Sequence, residues 1–140
     1  MVDLNFKKVL IAFTSILMLF MVGCSNGIEE KGDTIIVEKR IGEEYKYERY
    51  KEVIESDEVI KIKEILEDIK WEEGVVDTVL PPEYKFYFEE GGTKTSDRVY
   101  DIWANLDGNT SLLVIEGESK FVQNNKNVTN QLFEIITKHN

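Results

Sequence analysis

Tyr84-Lys85-Phe86-Tyr87-Phe88-Glu89 is the stretch on which the fold turns. Successive side chains of a strand point to opposite faces, so Tyr84, Phe86 and Phe88 share one side and Lys85, Tyr87 and Glu89 the other. This alternation describes a strand with one face on a core and one toward water. Gly91-Gly92 supplies a turn, and the chain returns over Arg98 to Leu106, where Val99, Asp101 and Trp103 alternate with Tyr100, Ile102 and Ala104. The two runs form a hairpin with a long loop, Glu90 to Asp97. Asp107-Gly108 turns the chain again. Ser111 to Glu116, with Leu112-Leu113-Val114-Ile115, is the most apolar strand and therefore central, and Lys120 to Gln123 adds a short one after Gly117.

Upstream of the hairpin, Trp71 to Pro82 is a connection, because Gly74 and Pro81-Pro82 exclude continuous helix. Before it, Val59, Ile62, Ile65, Leu66 and Ile69 recur at the helical period. They predict a helix over Asp57 to Lys70 capped by Ser56 or Asp57. Thr34 to Ile41 reads as a strand with Ile35 and Val37 on one face and Ile36 on the other. Tyr45 to Ile54 reads as a second strand from its alternating tyrosines and Val53-Ile54, although its i,i+4 charge pairs would also support a helix. A last helix starts at Asn127 or Thr129 and runs to about Lys138, with Val128, Leu132, Phe133, Ile135 and Ile136 on its apolar side. The expected architecture is α+β: a mostly antiparallel meander sheet of four to six strands with two amphipathic helices packed on one face.

The N-terminus carries a different signal. Lys7 and Lys8 precede an uncharged run of fourteen residues, Val9 to Val22. A membrane-spanning helix needs about 20 apolar residues, so this length suits the apolar region of an export signal. The run ends in Met21-Val22-Gly23-Cys24, which resembles the bacterial lipobox; Met21 stands where that motif favours Leu. The resemblance implies cleavage between Gly23 and Cys24 and a thioether-linked diacylglyceryl group on Cys24, two acyl chains being enough for durable anchoring. Cys24 is the sole cysteine, so the mature domain carries no disulfide. The expected organisation is a signal peptide over 1–23, a lipidated cysteine and flexible tether over 24–33, and a single α+β domain over 34–140. A tether of nine residues, Ser25 to Asp33, reaches only about 15–18 Å.

Without residues 1–23 the chain has 117 residues with 15 basic and 26 acidic side chains, a net charge of −11. That acidity argues against nucleic acid, which needs a basic surface, and against a second contact with anionic lipid. The bias toward Lys, Ile, Glu and Asn matches low-GC Gram-positive composition. Pro81-Pro82-Glu83-Tyr84-Lys85-Phe86, Tyr100-Asp101-Ile102-Trp103 and Leu132-Phe133-Glu134-Ile135-Ile136 resemble the small Bacillus lipoproteins of the YhfM kind. The resemblance covers roughly Thr34 to Lys138. It implies the fold and the lipid anchor, and it carries over no activity and no functional residue.

No catalytic constellation emerges from the residue types. His139, the lone histidine, stands one residue from the C-terminus, where a catalytic base is poorly held. With Cys24 consumed by lipid, the usual zinc ligands are lacking. Asp107-Gly108-Asn109 is a fragment of a calcium loop that reads as a turn. No Gly-rich phosphate loop appears, and no metal or small-molecule cofactor is expected. Asp101, set among Tyr100, Ile102 and Trp103, is the most unusual acid: facing inward its pKa would rise, while facing outward it would pair with Arg98 or a lysine. Trp71, Tyr87, Tyr100 and Trp103 are the candidate partner-binding residues, weighed against ordinary core packing. The expectation is a non-enzymatic binding or accessory module, anchored through Cys24 on the extracytoplasmic face of the membrane and meeting an envelope protein. The alternative is a carboxylate-based envelope hydrolase, which needs only two acids about 5–10 Å apart.

Overall fold

The computed structural model describes residues 27–106, 110–124 and 130–138. The lipobox with Gly23 and Cys24, the Asp107-Gly108-Asn109 turn and His139 lie outside the described residues. In chain order the elements are β1 (Thr34–Arg40), β2 (Tyr47–Val53), α1 (Ser56–Asp68), β3 (Glu72–Glu73), β4 (Tyr84–Glu90), β5 (Thr93–Lys94), β6 (Tyr100–Leu106), β7 (Thr110–Ile115), β8 (Lys120–Asn124) and α2 (Asn130–Thr137).

The fold is α+β. All eight strands pair antiparallel in one open sheet, ordered β2-β1-β4-β6-β7-β8-β3 with β5 on β4. The count exceeds the expected four to six, since β3 and β5 are two-residue pairings too short for any alternation to reveal. The β4-to-β8 stretch is the expected meander, with β7 interior. Order in the sheet departs from order in the chain at β1, which lies between β2 and β4, and at β3, which caps the far edge on β8.

The alternation of β4 is realised: Tyr84, Phe86 and Phe88 are buried, while Lys85, Tyr87 and Glu89 are half-exposed. They share one core with Ile35, Val37, Tyr100, Ile102, Leu113 and Ile115, and with Val59, Ile62 and Leu66 of α1 and Leu132 and Ile136 of α2. Phe86 stacks on Tyr100 at 4.7 Å between ring centroids. Tyr47–Val53 is a strand, so its ladder with β1 wins over the i,i+4 charge pairs. Two boundaries of α1 shift. Its N-cap is Glu55, which makes no side-chain capping bond, in place of Ser56 or Asp57, and the helix stops at Asp68.

The larger correction concerns the expected tether. From Gly27 onward the chain is packed against the domain and is not a free leash. Ile28 is buried, and its N–H donates to the Leu66 carbonyl at 3.2 Å. Lys63 Nζ donates to the Gly32 carbonyl, Thr95 Oγ1 to the Lys31 carbonyl at 2.7 Å, and the Asp33 N–H to the Glu89 carbonyl at 3.1 Å. Gly32 sits at φ +113°, with Glu89 backbone 2.7 Å from where a Cβ would lie. Glycine composition suggested flexibility; here it permits close approach.

Candidate functional site

Residues that the chain separates widely converge where the N-terminal segment crosses the start of β6. Glu30 is drawn into the interior, its side chain 1% exposed. Tyr100 Oη donates to Glu30 Oε1, Arg98 Nη1 lies 3.4 Å from the same oxygen, and Ser96 Oγ donates to Oε2 at 3.3 Å. Burial, reinforced by the Glu30 carboxylate, pushes the Tyr100 hydroxyl far above its usual pKa, so it acts only as a donor. Burial opposes the Arg98 charge, and the hydrogen bond and charge of Glu30 overcome that, raising its pKa. The network is the floor beside a cleft of about 610 Å³ lined by Gly27, Glu29, Trp71, Glu73, Arg98 and Lys120. Trp71 packs its indole 6.4 Å from the Tyr100 ring, yet its Nε1–H has no hydrogen-bond partner. Such an orphan donor costs about 1–3 kcal/mol.

The four aromatics singled out in the sequence are therefore not one patch. Tyr100 is 0% exposed and Trp71 9%, so Tyr100 offers no contact surface and Trp71 only its cleft-lining edge. The core claims both because strand alternation turns Tyr100 toward the helices. Tyr87 lies on the opposite face, with Lys94 Nζ 4.3 Å from its ring centroid. Trp103 stands midway along β6, its Nε1 donating to the Leu80 carbonyl at 2.9 Å.

The Pro81-Pro82 connection beside Leu80 is held by more side chains from the sheet. Arg40 Nη1 donates to the Pro81 carbonyl, and Tyr47 Oη to the Pro82 carbonyl at 2.8 Å. A second groove of about 410 Å³, with Trp103, Val76, Val79 and Leu80 in its walls, opens there. Val79 is 100% exposed and Tyr45, in the adjacent β1–β2 turn, 77%.

Asp101 does face an enclosed environment, although on the side away from the helices. It lies directly across from Lys85 in the β4–β6 register. Lys85 Nζ reaches Asp101 Oδ1 at 3.1 Å and Glu116 Oε2 at 3.0 Å, and stands 5.0 Å from the Tyr47 ring centroid. The expected lysine partner is thus Lys85, and Arg98 belongs to Glu30. Desolvation lifts Asp101 to about 6 against the pull of Lys85. Desolvation also weakens the Lys85 charge, but its two carboxylates prevail and raise its pKa. Because the folded pKa of Asp101 is above its unfolded value of 3.8, the folded state holds this proton more tightly. The contribution is therefore greatest at low pH and is lost as pH rises through about 6. Relative to Asp101→Asn, the wild type is expected to gain about 1 kcal/mol between pH 7 and pH 5. Urea midpoints of both proteins at the two pH values check this; parallel shifts would refute it.

Glu30, Arg98 and Lys120 went unremarked as site residues in the sequence. Glu30 sits 66 to 70 positions from its partners, and no local pattern announces such a pairing. The Lys85–Asp101 pair had a signal, since both stand opposite the core-facing aromatics of a recognisable hairpin.

These features define a class: a small α+β domain with an open antiparallel sheet, a buried acid–tyrosine–arginine network, and no assembled nucleophile and base among the described residues. The family model for the YhfM protein matches residues 28–140, and the chain belongs to that family. The match begins at Ile28, the residue whose burial starts the packed segment. No curated protein and no solved structure matches the chain.

Proposed function

We propose that this protein is an exported lipoprotein, anchored through Cys24, that binds a partner at the cell envelope without chemistry of its own. One observation supports the reading: the chain enters the domain beside the start of β6, away from the groove that carries the exposed apolar residues Val79 and Leu80. Gly27 shares a cleft with Arg98, just before β6, whereas Val79 and Leu80 share a groove with Trp103 and Ala104. Six residues of extended chain separate Arg98 from Ala104, roughly 20 Å. Three residues precede Gly27 back to Cys24, so an acylated Cys24 holds the Arg98 end near the membrane and directs Val79, Leu80 and Tyr45 away from it. An apolar tip aimed away from lipid suits a protein partner.

Cys24→Ala is expected to move the protein out of the membrane fraction of intact cells, with mass spectrometry finding a diacylglyceryl group on wild-type Cys24. Equal membrane retention by the variant, or a native Cys24 without acyl mass, overturns the anchor. Val79→Glu, at a fully exposed position, is expected to abolish crosslinking to the envelope partner while leaving thermal unfolding unchanged. The rival reading, a carboxylate-based hydrolase, draws on Asp101 and Glu116 sharing Lys85; it requires Asp101→Asn to abolish hydrolysis of an envelope substrate.

A further inference from the structure

Seven large apolar side chains are exposed among the described residues, and five of them, Ile41, Tyr45, Val75, Val79 and Leu80, stand in the β1–β2 turn and the connection ahead of β4. Sheet side chains tie these two segments together. Arg40 Nε donates to the Gly42 carbonyl at 2.8 Å and its Nη1 to the Pro81 carbonyl, while Tyr47 Oη donates to that of Pro82. The connection and β6 enclose the groove of about 410 Å³, with Val76, Val79, Leu80, Trp103 and Ala104 in its walls. Its charged lining is Asp77 and Glu83 against Arg40 alone. The turn adds the exposed Glu43 and Glu44 and one cation, Lys46, 3.5 Å from Glu44. An apolar groove is thus flanked by four carboxylates and two cations, on a chain whose net charge is −10.

We propose that this groove docks a basic segment of a partner protein, an apolar side chain seated among Val79, Leu80 and Trp103 and the flanking lysines or arginines meeting Asp77, Glu83 and the acids of the turn. The proposal gives the partner of the preceding section its chemistry, and it rests on that reading for its setting at the envelope. Charge selects the occupant. A second copy would bring the same acidic rim against itself, and an anionic lipid surface would meet carboxylates, so both are repelled. A basic partner is drawn in, because opposite potentials steer the encounter and fix its register. The apolar walls supply the affinity, since exposed ion pairs at a rim contribute little on their own.

The test uses the full chain with ¹⁵N-labelled tryptophan in a maltoside detergent. The probe is a capped heptapeptide that alternates lysine with leucine and phenylalanine. The chain has two tryptophans. Trp103 is the reporter, because its indole N–H donates to Leu80 in the groove wall, and the buried Trp71 is the reference. Trp71→Phe assigns the two signals. The peptide is expected to shift the Trp103 resonance saturably and to leave that of Trp71 in place, and a version with glutamate for lysine is expected to shift neither. Val79→Lys, at a fully exposed position, is expected to weaken binding about tenfold or more. Asp77→Asn with Glu83→Gln is expected to weaken it about fivefold. Glu64→Gln with Glu67→Gln, which removes the same charge from exposed positions on α1, is expected to leave it unchanged. Equal losses from the two pairs, undiminished binding by Val79→Lys, equal binding of the acidic peptide, or no saturable shift of Trp103 overturns the site. So does a Trp103 signal that moves with protein concentration alone, which assigns a second copy, or on transfer into phosphatidylglycerol bicelles, which assigns a lipid surface. The peptide needs no acyl group. A saturable Trp103 shift in a native chain whose Cys24 carries no acyl mass refutes the anchor and leaves the groove standing; an acylated chain without the shift does the reverse.

Discussion

Glu30→Ala is expected to destabilise the domain by about 2–4 kcal/mol and to release its N-terminal segment. Removing the acid strands the buried Tyr100 hydroxyl, at about 1–3 kcal/mol, and takes the carboxylate from a partly exposed ion pair with Arg98, which adds about 1 kcal/mol. Here the acid serves Tyr100, Arg98 and Ser96 together, with Tyr100 wholly buried. The loss should be local in its first expression. Hydrogen exchange should speed up at the Ile28 and Asp33 amides, which donate to Leu66 and Glu89, before the sheet is affected. Glu30→Gln keeps an acceptor oxygen for Tyr100 and should recover part of the loss, as should pairing Glu30→Ala with Tyr100→Phe, which removes the stranded hydroxyl. Urea unfolding of the single and double variants measures the coupling. A cost under 1 kcal/mol for Glu30→Ala, with unchanged exchange at Ile28, would mean that the segment is held by its backbone bonds alone.

Phe86→Ala is the second large effect, about 3–5 kcal/mol from lost burial and the cavity left behind. Phe86 is 0% exposed at the middle of β4, stacked on Tyr100 and edge-on to Phe88 at 6.3 Å. Tyr87→Ala, one position along the same strand, should cost less than about 1 kcal/mol, because Tyr87 is half-exposed and its ring meets the Lys94 ammonium in solvent. Domains of this size are stable by only about 5–15 kcal/mol. Phe86→Ala should therefore lower the denaturant midpoint by a large fraction, while Tyr87→Ala barely moves it. Similar costs for the two would overturn the assignment of faces across the whole sheet, since β4 is the strand on which β1 and β6 take their register.

Several elements were legible from the chain because their signals are local. The period of two in Tyr84–Glu89 and the period near 3.6 in Val59–Leu66 each lie within about a dozen residues, and burial follows both. Boundaries were less legible. Glu55 takes the N-cap although Ser56 and Asp57 are the better capping residues, because the position of Val53 at the end of the β1–β2 ladder fixes where the chain can start to turn. The candidate site was legible only in part: Trp71 and Tyr100 were singled out, but as contact residues, and the groups that surround them were not.

The sequence by itself determined the α+β class, the alternation of β4, the apolar stripe of each helix, and the uncharged run Val9–Val22 that stops just short of Cys24. Only the tertiary structure decided that β1 inserts between β2 and β4, that Gly27–Asp33 docks, and that Glu30 meets Ser96, Arg98 and Tyr100. Periodicity records which way a side chain points relative to its neighbours, and a polar glycine-containing segment has no period to record. Its place is set by carbonyls and donors contributed from α1, β4 and the loop after β5, which come within reach only once the sheet has formed.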